Sequence, residues 1–342
     1  MLNLVRKTLT NVTGGFSIDP MVSVEHAVIT HAHADHARRG SLNYYTPHSG
    51  VDLLKVRIGK TAKVHGFDFG EKFVLRNVEL SFHPAGHILG SAQVRMQKLN
   101  PGTRKPFGEV WLVSGDYKRD PDPTCEPFQE VKCDVFITEA TFGTPAYQWP
   151  KGIDLGRQIS EWSEENRVNG VSSVLFAYSL GKAQRVLGVL QPYMKRPVYC
   201  HPAATALTDC YRARGISLAP TICLSRIADT SELSGELFLV PQSFLKSSQS
   251  KLLGEKFETA FASGWMASAS RRTYGGCDTG FVMSDHADWN DLVATVLATG
   301  AKRVYVQHRG NGALVRHLRN LGIQAFPDTA LETKSVEQMS FL

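Results

Sequence analysis

Four side chains that can bind metal lie within six residues, His31-Ala-His33-Ala-Asp35-His36, directly after the apolar run Ala27–Thr30. On an extended backbone, residues two apart face the same way, so His31 and His33 point their imidazoles together. The chain must turn at Asp35 and His36, which can then face a second ion. Neutral imidazoles and carboxylates suit zinc, and also manganese or iron. The spacing therefore predicts a fold that gathers these side chains at the end of a strand.

Single polar residues also follow the ends of other apolar runs along the chain. They are Asp19, His87, Asp116, Glu139, His286 and His308. In α/β proteins the ends of neighbouring strands meet at one edge of a sheet, where ligands bind. One such residue alone is ordinarily a strand cap, but six of them together with the histidine cluster predict a common site.

The order of these runs predicts an α/β sandwich that contains an insertion. Short β-branched runs dominate the first half of the chain. Helical apolar spacing appears after Gly181, after Asp288 and before Gly322. The chain has 342 residues, of which 42% are hydrophobic and 20% charged, so it can bury a large core and is not disordered.

Composition also limits the environment and the partners. No apolar run is long enough for a membrane helix, and the first residues lack the pattern of a signal peptide. The six cysteines show no C-x-x-C pair, which favours reduced thiols in a cytoplasmic protein. The net charge of +6 is compatible with a polyanionic partner.

Taken in order, these motifs resemble those of the metallo-β-lactamase fold. More narrowly, they resemble its β-CASP nucleases, which include the Artemis-type DNA nucleases and the pre-mRNA 3′-end endonuclease. Four phrases resemble a bacterial branch, the ligase-associated DNA exonucleases: Thr138-Glu-Ala-Thr-Phe-Gly143, Leu180-Gly-Lys-Ala-Gln-Arg185, Ser263-Gly-Trp-Met266 and Ser284-Asp-His-Ala-Asp-Trp289. The resemblance covers roughly residues 10–330.

The resemblance implies an αββα metallo-β-lactamase sandwich with an inserted α/β cap. Residues 1–145 and 273–342 would form the sandwich, and residues 146–272 the β-CASP domain. Two divalent metal ions are implied, most often zinc, with manganese or iron as alternatives. His31, His33 and His87 would hold one ion, and Asp35, His36 and His308 the other. Asp116 would bridge the two ions, and Asp19 would orient a ligand imidazole.

The chemistry implied is hydrolysis of a phosphodiester, for which two ions generate hydroxide and stabilise both reacting oxygens. Protonation of the leaving group still needs an acid. His286, with Glu139 as its partner, is the candidate, and Asp35 is counted with them among the catalytic residues. His286 has two other readings, as a further metal ligand or as a helix-start residue without chemistry.

Four residues are candidates for nucleic-acid contacts. Lys182 and Ser179 lie in a loop between a strand and a helix, where phosphate can bind. Arg271-Arg272 could contact the phosphate backbone of a nucleic acid. For Lys182, a solvated side chain at a helix start is an equal reading, and for Arg271-Arg272 a solvated surface position is the plainer one.

The resemblance thus implies a DNA exonuclease that acts on single strands or ends in DNA repair, associated with a DNA ligase and a helicase. A ribonuclease stays open, because RNA-processing members carry a histidine where His308 stands and DNA-directed members generally do not. A small-molecule hydrolase such as a lactonase or thioesterase, and a nucleic-acid-binding module with an inactive metal site, are the remaining alternatives.

Overall fold

The structure is a computed structural model, and it describes residues 1–227, 233–268, 276–307 and 312–332. The chain divides into two compact units. Unit 1 comprises Met1–Pro121, Glu126–Pro145 and His286–Leu342. Unit 2 comprises Asp122–Cys125 and Ala146–Asp285. The α/β class predicted from the sequence is confirmed.

Unit 1 contains two sheets. The first has the strand order β1-β2-β3-β4-β5-β6. Its strands are β1 (Asn3–Val5), β2 (Thr8–Asn11), β3 (Phe16–Ile18), β4 (His26–Val28), β5 (Asn43–Pro47) and β6 (Val64–Phe67). The second has the order β19-β18-β11-β10-β9-β8-β7. Its strands are β7 (Lys72–Leu75), β8 (Val78–Pro84), β9 (Ala92–Leu99), β10 (Pro106–Val113), β11 (Val135–Thr138), β18 (Arg303–Val306) and β19 (Gln324–Pro327).

The two sheets of unit 1 pack face to face, with helices on their outer faces. One buried cluster joins Ile18 and Val28 of the first sheet to Val94 and Ile137 of the second. The helix Val51–Ile58 packs on the outer face of the first sheet through Leu54 and Ile58. The helices Trp289–Thr299 and Ala313–Asn320 cover the second sheet through Leu292 and Leu318. Unit 1 is therefore layered as helix, sheet, sheet and helices.

Unit 2 is built on one parallel sheet with the strand order β14-β13-β15-β12-β16-β17. Its strands are β12 (Ser172–Phe176), β13 (Val198–Cys200), β14 (Thr221–Cys223), β15 (Leu237–Val240), β16 (Phe257–Ala262) and β17 (Thr279–Phe281). The helices Leu155–Val168, Lys182–Leu190 and Pro202–Ala213 pack on one face. The other face is covered by short 3₁₀ segments, including Gln242–Lys246 and Ser248–Leu253.

The return of the chain from unit 2 to unit 1 falls at His286. The domain boundaries expected from the sequence assigned residues 273–342 to the first domain. Strand β17 lies within that range, yet it pairs with β16 in the sheet of unit 2. The segment before His286 is thus part of the second compact unit.

Helix ends follow local sequence signals. The side chain of Asp288 accepts a hydrogen bond from Asp291 N at 2.8 Å and begins the helix Trp289–Thr299. Gly300, in the left-handed conformation, ends that helix. Among the described residues, none of the helices is both long enough and apolar enough to cross a membrane.

Candidate metal centre

The candidate site lies at the edges where the strands of unit 1 end. Strands β10, β11 and β18 are parallel, and β8 runs in the same direction as β10 because each is antiparallel to β9. Their carboxyl ends therefore meet at one edge. His87, Asp116 and Glu139 follow the ends of β8, β10 and β11, as the sequence predicts.

Three histidines and one aspartate form the centre of the site. His33 Nδ1 lies 3.1 Å from His31 Nε2 and 3.1 Å from His87 Nε2. Asp116 Oδ2 lies 3.5 Å from His31 Nε2 and 3.8 Å from His87 Nε2. One ligand atom from each of these residues lies within 4.8 Å of every other, so the group could hold a metal ion.

These atoms fit a transition metal. Two nitrogens bound to one tetrahedral zinc at 2.0–2.1 Å stand about 3.3 Å apart, close to the separations found here. Burial lowers the pKa of His31 well below its usual value, and the neighbouring His36, His33 and His87 lower it further. His31 is therefore neutral and keeps a lone pair that it can donate to a metal ion. Burial acts to raise the pKa of Asp116, but the nearby histidines, His36 first, leave it below its usual value.

His36 and Asp19 form the next group. His36 Nδ1 lies 2.7 Å from Asp19 Oδ2, and His36 Nε2 lies 3.5 Å from Asp116 Oδ2. Asp19 also accepts hydrogen bonds from Thr30 N at 2.8 Å and Thr30 Oγ1 at 2.5 Å. Burial alone would lower the pKa of His36, but Asp116, Asp19 and Asp35 outweigh it and raise the pKa to about 10. The surroundings of this imidazole thus stabilise positive charge.

Glu139 and His286 form a direct pair. His286 Nδ1 lies 3.0 Å from each carboxylate oxygen of Glu139. Glu139 also accepts from Tyr117 N at 2.9 Å and from Thr141 Oγ1 at 2.5 Å. Burial acts to raise the pKa of Glu139, but His286 and these hydrogen bonds lower it, so the carboxylate is charged. Asp116, Glu139 and His286 also meet the geometric requirement for a shared ion.

Two glycines allow the tight backbone turns that place His87 and Asp116 in the site. Gly86 has a φ of +72°, and a Cβ there would lie 2.2 Å from the carbonyl oxygen of Lys118. Gly115 has a φ of +57°, and a Cβ there would lie 2.7 Å from Thr30 Cβ. Each glycine directly precedes a site residue, His87 or Asp116. Both turns therefore require glycine, because a residue with a Cβ would not fit.

Asp35 is placed less centrally than the sequence predicts. Its side chain is 71% exposed, and its Oδ2 lies 3.7 Å from His36 Nε2. It lines the same pocket as His36 and Asp116 without joining the four-residue group. The expectation that Asp35 holds an ion stays a prediction.

The prediction for Lys182 needs correction. This side chain is buried, its Nζ donates to the carbonyl of Met283 at 2.6 Å, and it pairs with Asp285 Oδ1 at 2.8 Å. The ammonium is therefore used inside unit 2 and is not presented to phosphate. Ser179 is half-buried, and its carbonyl accepts from Gln184 Nε2 at 3.0 Å. Arg271, Arg272 and His308 lie outside the described residues.

Sequence reasoning missed two supporting residues, Thr30 and Thr141. Thr30 connects Asp19 to the ring of His31, since its Oγ1 lies 3.1 Å from His31 Nδ1. Thr141 holds the carboxylate of Glu139. Each lies within two residues of a candidate ligand or acid, and this adjacency is the signal that could have found them.

Fold and site together define an α/β protein with a buried His/Asp group that could hold metal. A structure titled as a protein of unknown function from Enterococcus faecalis V583 is similar, with a TM-score of 0.55 and 13% identity, covering 83% of this chain and 75% of that one. That likeness concerns the fold alone. No family model matches the chain.

Curated relatives carry nuclease and ligase names. A "Probable DNA ligase" of Opitutus terrae is 29% identical over 314 residues, which cover 91% of this chain and 29% of that protein. An "RNase J-like protein" of Methanocaldococcus jannaschii is 25% identical, over 51% of this chain and 45% of that protein. "Endoribonuclease ysh1" of Emericella nidulans is 29% identical, over 45% of this chain and 17% of that protein. The chain spans less than half the length of these relatives.

Proposed function

We propose that the chain is a metal-dependent nuclease of the metallo-β-lactamase fold and the β-CASP family, and that it hydrolyses phosphodiester bonds of DNA as an exonuclease. The observation that carries the proposal is the group His31, His33, His87 and Asp116, with Glu139 and His286 beside Asp116. Unit 1 then corresponds to the metallo-β-lactamase domain and unit 2 to the inserted β-CASP domain, close to the division at residues 145 and 273.

The metal ligands are assigned by their positions. His31, His33 and His87 hold one ion with Asp116, whose other neighbour, His36, takes part in a second site with Asp35 and His308. Zinc is the metal that the nitrogen-rich set favours, with manganese or iron as alternatives. Bound ions supply activated water and neutralise charge on a phosphate. Asp19 fixes the ring of His36 by accepting a hydrogen bond from its Nδ1–H.

His286 is assigned as the general acid. Its Nδ1 faces the buried carboxylate of Glu139, and a charged carboxylate at 3.0 Å favours the protonated imidazole. The Nε2 proton is then the one that reaches the leaving oxygen. Glu139 is held in turn by Tyr117 and Thr141, so the pair keeps one orientation.

DNA is favoured as the substrate by a relative that matches 91% of this chain, the protein named as a probable DNA ligase. The same name supports a role in DNA repair alongside a DNA ligase. We propose in addition that the enzyme works with a helicase and in the cytoplasm. A ribonuclease is the second candidate, because two other relatives are named RNase J-like and endoribonuclease.

The test compares DNA and RNA of matched sequence. Each strand is labelled at one end and incubated with metal-loaded protein, with Asp116→Ala as the inactive control. We expect progressive release of nucleotides from single-stranded DNA and little from RNA. Faster cleavage of RNA would support the ribonuclease, and cleavage of neither strand by a metal-loaded protein would overturn the nuclease assignment.

A further inference from the structure

The turn between β1 and β2 has an unusual composition. Val5 pairs with Thr8, so Arg6 and Lys7 form a two-residue hairpin turn. Their φ angles are +48° and +64°. Hairpin turns with two positive φ angles favour asparagine and glycine, since a long side chain with a Cβ is disfavoured there. Two cationic residues therefore occupy a turn whose stability favours other residues, and such strain is concentrated at functional sites.

The register of the sheet brings this turn to the candidate site. Strand β2 is antiparallel to β3, and Leu9 pairs with Ile18. Lys7, which precedes β2, thus lies at the edge where β3 ends and Asp19 follows. Thr8 Oγ1 accepts a hydrogen bond from Met21 N at 3.1 Å, which ties the turn to the segment after Asp19. Lys7 and Met21 both line the pocket that also contains His36 and Asp116.

Lys7 brings positive charge to a pocket lined by carboxylates. Asp19, Asp35, Asp116 and Glu139 line the same pocket. Lys7 is exposed, and it forms no ion pair with any residue that the structure describes. Its neighbour Arg6 has the same charge and the same backbone conformation but does not line the pocket. The ammonium of Lys7 is thus open to an anionic ligand that enters beside the metal centre.

We propose that Lys7 binds a backbone phosphate of the nucleic-acid strand next to the phosphate that reacts. This inference rests on the proposed nuclease function and adds a binding residue that the sequence motifs did not indicate. A contact to a phosphate that does not react is equally strong in the bound substrate and in the transition state. Its loss therefore raises KM and leaves kcat unchanged.

The experiment compares Lys7→Asn with Arg6→Asn in the metal-loaded full chain. Asparagine adopts positive φ readily, so both variants keep the turn while each removes one charge. The readouts are KM and kcat on single-stranded DNA and the salt dependence of binding to the same strand. Thermal unfolding of both variants checks that the turn is intact.

We expect Lys7→Asn to raise KM by about three- to ten-fold with kcat unchanged. The slope of the logarithm of the binding constant against the logarithm of the salt concentration, the salt slope, should fall in magnitude by about 0.7, as the loss of one phosphate contact requires. Arg6→Asn should leave both quantities near wild type. Equal effects of the two variants on KM, or no effect of Lys7→Asn in an active nuclease, would overturn this inference and leave the proposed nuclease function intact. A wild-type protein that cleaves neither DNA nor RNA would overturn the proposed function and this inference with it.

Discussion

The carboxylate of Asp19 accepts a hydrogen bond from Nδ1 of His36 at 2.7 Å, across a separation of 17 residues in the chain. This bond keeps one ring proton on Nδ1, so a cation that binds at Nε2, 3.5 Å from Asp116, would displace only the Nε2 proton. Asp19 has a φ of +44°, a conformation that carries a cost for a residue with a side chain. The backbone strain at Asp19 is thus coupled to the orientation of one imidazole.

Removing this carboxylate should weaken metal binding without removing a ligand. We expect Asp19→Ala to lower the affinity for one ion by about 10- to 100-fold, since His36 loses the partner that orients it. Competition with a chromogenic chelator measures the effect. Asp68→Ala removes an exposed carboxylate elsewhere in unit 1 and should leave the affinity unchanged. An unchanged affinity in Asp19→Ala would show that His36 does not depend on Asp19.

The purified protein should hold close to two transition-metal ions per chain. Removal of the ions with a chelator should abolish hydrolysis, and their return should restore it. His33→Ala should lose metal because His33 Nδ1 lies between two other ring nitrogens. His83→Ala is the matched control, since His83 instead bonds Ser81 and Gln129. Elemental analysis measures the metal content of each preparation. An active preparation without metal would contradict the assignment of a metal-dependent nuclease.

The parts of the fold that sequence patterns predicted are those with strong local signals. Short β-branched or aromatic runs in the sequence predict strands, and three of these runs, Val135–Thr138, Leu237–Val240 and Arg303–Val306, coincide with strands β11, β15 and β18. The helix predicted after Asp288 begins there because Asp288 caps it, and Gly300, a glycine stop signal in the sequence, ends it in the left-handed conformation. The helix Leu155–Val168 was not predicted, since its solvent side is so polar that few apolar residues repeat.

The site shows the same contrast between local and distant information. His31 and His33 are neighbours in sequence. Because residues that follow the ends of neighbouring strands meet at one edge of a sheet, the sequence also placed His87, Asp116 and Glu139 near them. Lys182 illustrates the opposite case. Its position after Gly181 predicted a phosphate contact, but its partner Asp285 comes from far along the chain, and a local pattern cannot show such burial.

Lys182 should therefore contribute to stability and not to binding of nucleic acid. Burial lowers the pKa of Lys182, and the carboxylate of Asp285 acts against that effect. Lys182→Met removes one of the two cations that pair with this buried carboxylate, the other being Arg185, and we expect a loss of about 3 kcal/mol in the free energy of unfolding. Urea unfolding measures it, with the exposed Lys195→Met as control. A reduced salt slope of DNA binding with unchanged stability would restore the phosphate-contact interpretation.

His286 and His308 should have separable effects. His286 pairs with Glu139, so His286→Ala should keep its metal while turnover falls by about 10²–10⁴, the range for a lost general acid. A substrate whose leaving group needs no proton should recover much of that loss. His308 lies outside the described residues, and its sequence position after β18 predicts a ligand. His308→Ala should therefore release one ion, with added metal restoring part of the activity. Metal loss in His286→Ala but not in His308→Ala would reverse the two assignments, because His286 also lies within reach of an ion shared with Asp116.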